Sequence, residues 1–367
     1  MSRTHTSTYE GTITYPDALA FAFNPSPIVV DGSYGVWVSV SASDGIHTYS
    51  ERRTPFGGDC TFDLSVFARA LLSQKAKAEP PTSVLTNMGH TVDVSVTITT
   101  FVDELNTQTY TFSSTYVFGL LRHGEEFNPV RHRTYWRNYP FTVGVFLPNG
   151  DSVGYIVDGS AQSVETSSAT GIYEIPVSAM GVTESLVVLD GIGALTPTTF
   201  TDVFDMSFSL VDGDDITERV IVDVSNEQCP RAVYLRWLDN QGFYCYWLFS
   251  WLGDSYASEV DTDIVRDSMA HYQQGAGYQG WYGHREQRAE TQTKSIGASM
   301  VDAETFAFLR TLLTSPRVDR YLGKDADDNP MWENVRVSAQ ATAWNRHKDY
   351  QDFSCNLIMP RYEYQGV

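Results

Sequence analysis

The segment Val233–Phe249 constrains the fold more than any other. It reads V-Y-L-R-W-L-D-N-Q-G-F-Y-C-Y-W-L-F. Two aromatic and aliphatic runs flank Asp239-Asn240-Gln241-Gly242, residue types that tolerate turn dihedrals, so a β-hairpin with a four-residue connection is predicted. On the first strand Val233, Leu235 and Trp237 share one face, and Tyr234, Arg236 and Leu238 share the other. On the second, Phe243, Cys245, Trp247 and Phe249 alternate with Tyr244, Tyr246 and Leu248. Neither face is polar. Such a hairpin is not stable alone in water and must lie between layers or against another chain. Burying its largest rings at ~2–3 kcal/mol each makes it the main contributor to a core. Tyr234, Trp237, Tyr244, Tyr246 and Trp247 are the candidate core or interface residues.

The rest of the chain reads as mainly β, in two or three β-sandwich-like modules with a few short helices. Residues 1–118 form a first β module with one helix. Val36, Val38 and Val40 alternate with Trp37 and Ser39, and Asp44-Gly45 marks a turn before Ile46–Tyr49. Asp63 is placed to cap a helix whose stripe is Val66, Phe67, Ala70 and Leu71. Thr91–Phe101 alternates strictly, with Val92, Val94, Val96 and Ile98 inward and Asp93, Ser95 and Thr97 outward, and it pairs with Thr109–Phe112. Residues 119–228 form a second β module, in which Phe141–Leu147 and Ser152–Val157 flank Asn149-Gly150 as another hairpin. Residues 229–367 form a third, β-rich module. It holds the aromatic hairpin and a helix capped by Asp302, with Phe306, Leu309 and Leu313 on one face.

At 367 residues the chain is long enough for several cores. Its net charge of −20 argues against a phosphate-binding surface. It is compatible with a surface along which DNA passes without sticking. No apolar run reaches the ~18–20 residues a membrane-spanning helix needs. The N-terminus lacks the apolar core of a signal peptide, so a cytosolic chain, or one released by lysis, is expected. Cys60, Cys229, Cys245 and Cys355 are widely separated and fit reduced thiols better than a disulfide framework or a zinc site.

No catalytic motif emerges. The closest histidines, His123 and His132, match no metal-ligand spacing. Asp212-Gly-Asp-Asp215 resembles part of a calcium loop but lacks the closing glutamate, and reads better as a turn. Gly275-Ala-Gly-Tyr-Gln-Gly280 opens no helix and follows no β-α pattern, so it is not a dinucleotide fingerprint. No enzyme, cofactor or metal is therefore expected. Tyr278, Trp281 and Tyr282 form the one surface-like aromatic cluster, a candidate for stacking on sugars or proteins.

The hairpin pattern Tyr234-Leu-Arg-Trp-Leu-Asp-x-x-Gly-Phe-Tyr-x-Tyr-Trp-Leu-Phe249 resembles a segment of virion proteins, of tail or baseplate type, from phages and prophages of gut Bacteroidetes. Thr61–Ser65, Trp332-x-x-Val-x-Val337, Asp352–Cys355 and Met359-Pro360 extend the resemblance. It implies a structural component of a tail tip, baseplate or collar-like ring, assembled in the host cytoplasm, with copies of itself and other tail proteins as partners. Sequence-specific nucleic-acid binding and membrane insertion are not implied. The alternative function for such β modules is a carbohydrate-binding or adhesin domain, with the Tyr278–Tyr282 cluster as its platform.

Overall fold

The computed structural model describes residues 2–7, 11–31, 36–57, 59–81, 85–101, 107–120, 130–161, 165–190, 219–226, 231–264, 272–278, 284–338, 344–345, 347–360 and 362–365. The protein is mainly β, in several sheets with two short α-helices among the described residues. It divides into two compact units. The first comprises Met1–Glu227 with Leu238–Tyr246, and the second comprises Gln228–Trp237 with Trp247–Val367. The aromatic hairpin thus contributes its turn end to one unit and its stem to the other.

In the first unit, a four-stranded antiparallel sheet (Ser2–Ser7, Gly11–Pro16, Pro27–Asp31, Cys60–Asp63) and a five-stranded one share a core. The five-stranded order is Leu19–Phe21, Thr107–Val117, Thr91–Phe101, Trp37–Ser43, Thr48–Arg53. The strict alternation of Thr91–Phe101 buries Val92, Val94, Val96 and Ile98 and leaves Asp93 and Ser95 exposed. Its partner Thr107–Val117 runs antiparallel from Thr107↔Phe101 to Val117↔Thr91.

Helix α1 (Leu64–Gln74) closes one side of this core. Asp63 caps it by accepting from the Ser65 amide at 3.0 Å, and the same oxygen accepts from the Ser26 amide. The stripe differs from the sequence expectation. Leu64, Phe67, Ala68, Leu71 and Leu72 are buried, whereas Val66 is 54% exposed. The helix begins directly after its cap, so the buried i, i+3, i+4, i+7, i+8 set starts at Leu64.

The remaining strands of this unit form two further sheets. One runs Val130–Trp136, Arg219–Ser225, Ser185–Asp190, Ser152–Val157, Ser160–Ala161, with a parallel pairing between its first two strands. The other runs Thr142–Leu147, Gly171–Pro176, Thr86–Asn87. Thr142–Leu147 and Ser152–Val157 therefore do not form the hairpin expected across Asn149-Gly150. The turn is present, with the Asp151 amide donating to Pro148 O at 3.2 Å and Gly150 at φ 88°, but it carries the chain from one sheet to the other. Both strands are buried on nearly every residue. Two strands each covered on both faces satisfy their burial in different layers, which a single half-solvated hairpin would not allow.

The second unit is built on a small closed barrel. The order is Tyr244–Ile264, Ala232–Leu238, Val318–Lys324, Pro330–Val337, Gln351–Ile358, His284–Val301, and the last strand pairs back to the first. Tyr362–Gln365 adds to His284–Val301. Leu235, Trp237, Phe249, Ile296, Phe353, Cys355 and Leu357 fill the core. Helix α2 (Ala303–Arg310) is capped by Asp302, which accepts from the Thr305 amide at 2.8 Å. It tightens into a 3₁₀ turn at Thr311–Thr314. Its buried residues are Phe306, Leu309 and Leu312, with Leu312 where Leu313 was expected. Three residues per turn bring i+3 beneath i, which moves the buried position back by one.

Candidate interaction surfaces

Burial covers both faces of the aromatic hairpin. Within the second unit Trp237 has no exposed surface. Its Nε1 donates to Thr311 Oγ1 at 2.8 Å, and its ring lies 5.3 Å from Phe308. Tyr234 lies between Tyr321 and Trp332, at 6.2 and 6.1 Å. Trp247 is half-buried, 6.1 Å from Phe308. The charged Arg236 sits among these rings because it is paired. Its Nε donates to Asp319 Oδ2 at 2.9 Å with both side chains under 5% exposed, and its guanidinium stacks 4.3 Å from Trp332. Arg317 Nε donates to the same oxygen at 2.9 Å. Asp319 is thus a buried carboxylate holding two guanidinium groups.

Within the first unit the hairpin's turn end forms a polar cluster. Asp239 organises the turn, its Oδ1 accepting from the Gln241 and Phe243 amides at 2.9 Å each. Gly242 has φ 89°, and a Cβ there would sit 2.3 Å from Phe118 O. Only glycine fits both the backbone and the space. His90 donates from Nδ1 to Gly242 O at 3.0 Å, which fixes its tautomer if neutral.

Glu174 lies at the centre of this cluster, fully buried. The Tyr244 amide donates to its Oε1 at 3.1 Å, and Thr142 Oγ1 donates to its Oε2 at 2.6 Å. With the Thr142 proton committed to ionised Glu174, the Tyr246 hydroxyl donates to Thr142 Oγ1 at 2.7 Å. Arg131 packs 4.0 Å over the Phe243 ring and donates to Gly144 O at 2.6 Å. Burial pushes the Glu174 carboxyl up to about 7. The Thr142 and Tyr244 bonds and the charge of Arg131 oppose that rise, and Asp239 adds to it. Burial, with Asp239 beside it, also holds the Cys245 thiol well above its ordinary range, so it is an unreactive thiol.

Sequence reasoning placed Tyr244 and Tyr246 but missed Glu174, Thr142, Arg131 and Asp319. One signal was available for Glu174: it is the lone charge in the apolar run Gly171-Ile-Tyr-Glu-Ile-Pro176.

Of the aromatic loop cluster, Trp281 and Tyr282 lie outside the described residues. Tyr278 ends a two-stranded ribbon, Tyr272–Gln273 with Gly277–Tyr278, whose residues 272–276 are exposed. His123, Cys229 and Asp212–Asp215 also lie outside the described residues. His132 is exposed on its strand. Among the described residues, no group of three His, Cys, Asp or Glu side chains is placed to hold a metal, and no helix is long and apolar enough to cross a membrane.

The second unit carries an extended ladder. Tyr244–Ile264 has 21 residues and His284–Val301 has 18, against ~5–6 in a typical strand. Their pairing runs from Ser250↔Gly297 to Ile264↔His284. Past Trp251, His284–Val301 is the only strand partner of Tyr244–Ile264 among the described residues. Leu252 and Tyr256 on this stretch are 61% and 62% exposed.

No protein-family model matches the chain, and no curated protein does. Among solved structures it is similar to one that concerns host cell surface retention of a 1.5-MDa bacterial ice-binding adhesin. That match is 14% identical, covers 87% of this chain and 92% of that one, and has a TM-score of 0.16. A likeness at that score carries no argument about function.

Proposed function

We propose that this chain is a structural component of a phage particle, at the tail tip, baseplate or a collar-like ring, and that it acts by assembling with copies of itself and with other tail proteins. The observation that carries this reading is the long ladder of the second unit. A strand edge is a row of unpaired amides and carbonyls, and pairing it with a neighbouring chain is the natural way to satisfy them. Exposed Leu252 and Tyr256 add apolar area on the same stretch. Closed and sandwiched sheets supply the rigidity such a part needs. The virion resemblance at Tyr234–Phe249 supports the same reading, since it falls on the hairpin that runs through both units. A net charge of −20 suits a lumen that lets DNA pass.

Light scattering coupled to size exclusion, with negative-stain imaging, tests this. Discrete ring-shaped oligomers are the expected result. A monomeric mass up to the solubility limit, with no co-purifying tail protein, would refute it.

A further inference from the structure

The barrel of the second unit carries a cleft of about 300 Å³, lined by Arg231, Ala232, Val233, Trp251, Asp254, Lys294, Arg320 and Tyr321. Its origin is legible in the strand pairing. Ala232–Leu238 is short, and its ladder with Val318–Lys324 covers only Leu235–Trp237 against Val318–Arg320. Beyond that, the two flanking strands each break register. One shifts between Trp251 and Gly253, the other between Tyr321 and Gly323. The extra residues, Leu252 and Leu322, are 61% and 48% exposed. A β-bulge re-aims the side chains on either side of it. In a regular strand Trp251 and Asp254 would face opposite ways. Here Trp251 Nε1 donates to Asp254 Oδ1 at 2.9 Å.

Asp254 fixes the wall. Lys294 Nζ donates to both its oxygens at 3.0 Å, and Gln292 Nε2 donates to Oδ2 at 3.3 Å. Burial alone would raise this carboxyl, but these bonds hold it below its ordinary range. With so many donors Asp254 has little capacity left for a ligand. The same bonds occupy Lys294, so what the cleft presents is Arg231 and the rings. Arg231 is exposed, its guanidinium is 5.6 Å from the Trp251 ring, and it has no carboxylate partner among the described residues. Lys294 is 5.7 Å from the same ring. Arg320 is paired to Glu333 at 3.0 Å, and Tyr321 supplies a second ring.

The geometry points to a binding site for a carboxylate-bearing sugar, with the carboxylate on Arg231 and the ring on Trp251. Size supports this, because the space holds one or two rings and not an extended chain. Charge narrows it further. The far field of a −20 chain repels polyanions such as nucleic acid or a poly-acidic peptide, whereas a single carboxylate carried on a neutral body meets mainly the local cations. Aromatic faces suit pyranose C–H surfaces. None of its lining residues belongs to the Tyr278–Tyr282 cluster. Trp251 and Asp254 lie on the ladder that the assembly reading uses, so binding is measured on dilute, monomeric protein, where its failure is distinct from a failure to form rings.

Saturation-transfer NMR and calorimetry with sialyllactose, glucuronic acid, lactose and triglutamate test the site. An acidic sugar is expected to bind with Kd on the order of 1 mM. Lactose should bind at least ~10-fold more weakly, and Arg231→Ala should weaken the acidic sugar by ~10-fold or more. Arg231 is exposed, so an unchanged melting temperature for Arg231→Ala would show that the fold is intact. Trp251→Phe should retain part of the affinity and Trp251→Ala should lose it. Four results would each overturn the proposal: lactose binding as well as sialyllactose, Arg231→Ala leaving affinity unchanged, triglutamate binding more tightly than either acidic sugar, or no acidic sugar binding at about 10 mM, ten times the expected Kd.

Discussion

Replacing Glu174 by glutamine isolates a buried electrostatic cost in the first unit. Glu174 is fully buried, and its carboxyl titrates at about 7, against ~4.3 for glutamate in an unfolded chain. Between those values the native state holds the proton and the unfolded chain does not. Stability linked to this group is therefore complete below about pH 4.3, falls as pH rises, and is fully lost once pH passes the folded value near 7. The gap between ~4.3 and about 7 corresponds to about 3–4 kcal/mol. Glutamine has the same shape, still accepts from the Tyr244 amide, and can donate to Thr142, which then donates to Tyr246. It removes the charge without orphaning its neighbours. Urea unfolding of both proteins, followed by circular dichroism from pH 4.5 to 8, measures the difference. Taking that difference cancels the self-repulsion of the other acids. Glu174→Gln should match the native protein near pH 4.5 and exceed it by about 3–4 kcal/mol at pH 8. A pH-independent difference, or a variant that is less stable at pH 8, would refute the reasoning. It would mean that Arg131 and the two hydrogen bonds outweigh desolvation.

Two further perturbations test the packing around the hairpin. A Cβ at Gly144 would lie 2.7 Å from both Glu174 Oε1 and Phe243 Cδ1, so Gly144→Ala should cost about 1–3 kcal/mol by overpacking, measured as a lower denaturation midpoint. Asp319→Ala should cost about 3–5 kcal/mol, because it leaves Arg236 buried without its anion, whereas Arg236→Met with Asp319→Leu should recover most of that loss in a double-mutant cycle.

The features legible in the sequence were those written locally. Alternation in Thr91–Phe101 announced its buried face, Asp63 and Asp302 announced their caps, and the absence of a polar face on Val233–Phe249 announced burial on both sides. Each depends on neighbours in the chain. Where the next element in space is distant in sequence, the local signal misleads. Asn149-Gly150 has the composition of a hairpin turn, yet the strands it joins pair elsewhere, Thr142–Leu147 with Gly171–Pro176 and Ser152–Val157 with Ser185–Asp190. A turn sequence specifies a reversal and not a partner, and two strands buried on both faces have more to gain in separate layers. The same holds for charge. Arg236 reads as a fault in an apolar hairpin until Asp319, more than 80 residues on, supplies the counter-ion.

Bulges are the extreme case of this limit. Nothing in Trp251-Leu-Gly-Asp254 or Tyr321-Leu-Gly323 marks a break in pairing beyond a glycine in each. Yet those two breaks decide which side chains meet. Without the first, Trp251 and Asp254 would face apart, and Lys294 would have no acid to hold it beside the ring. The exposure of Leu252 and Leu322 follows from the same cause. An exposed leucine beside a glycine on a barrel strand, recurring on two strands with one short strand between them, is therefore a geometric signature of an opened wall. The chemistry of that opening is set by whichever side chains the bulges turn toward it, and here they are two rings, Trp251 and Tyr321, and the carboxylate of Asp254 that holds Lys294.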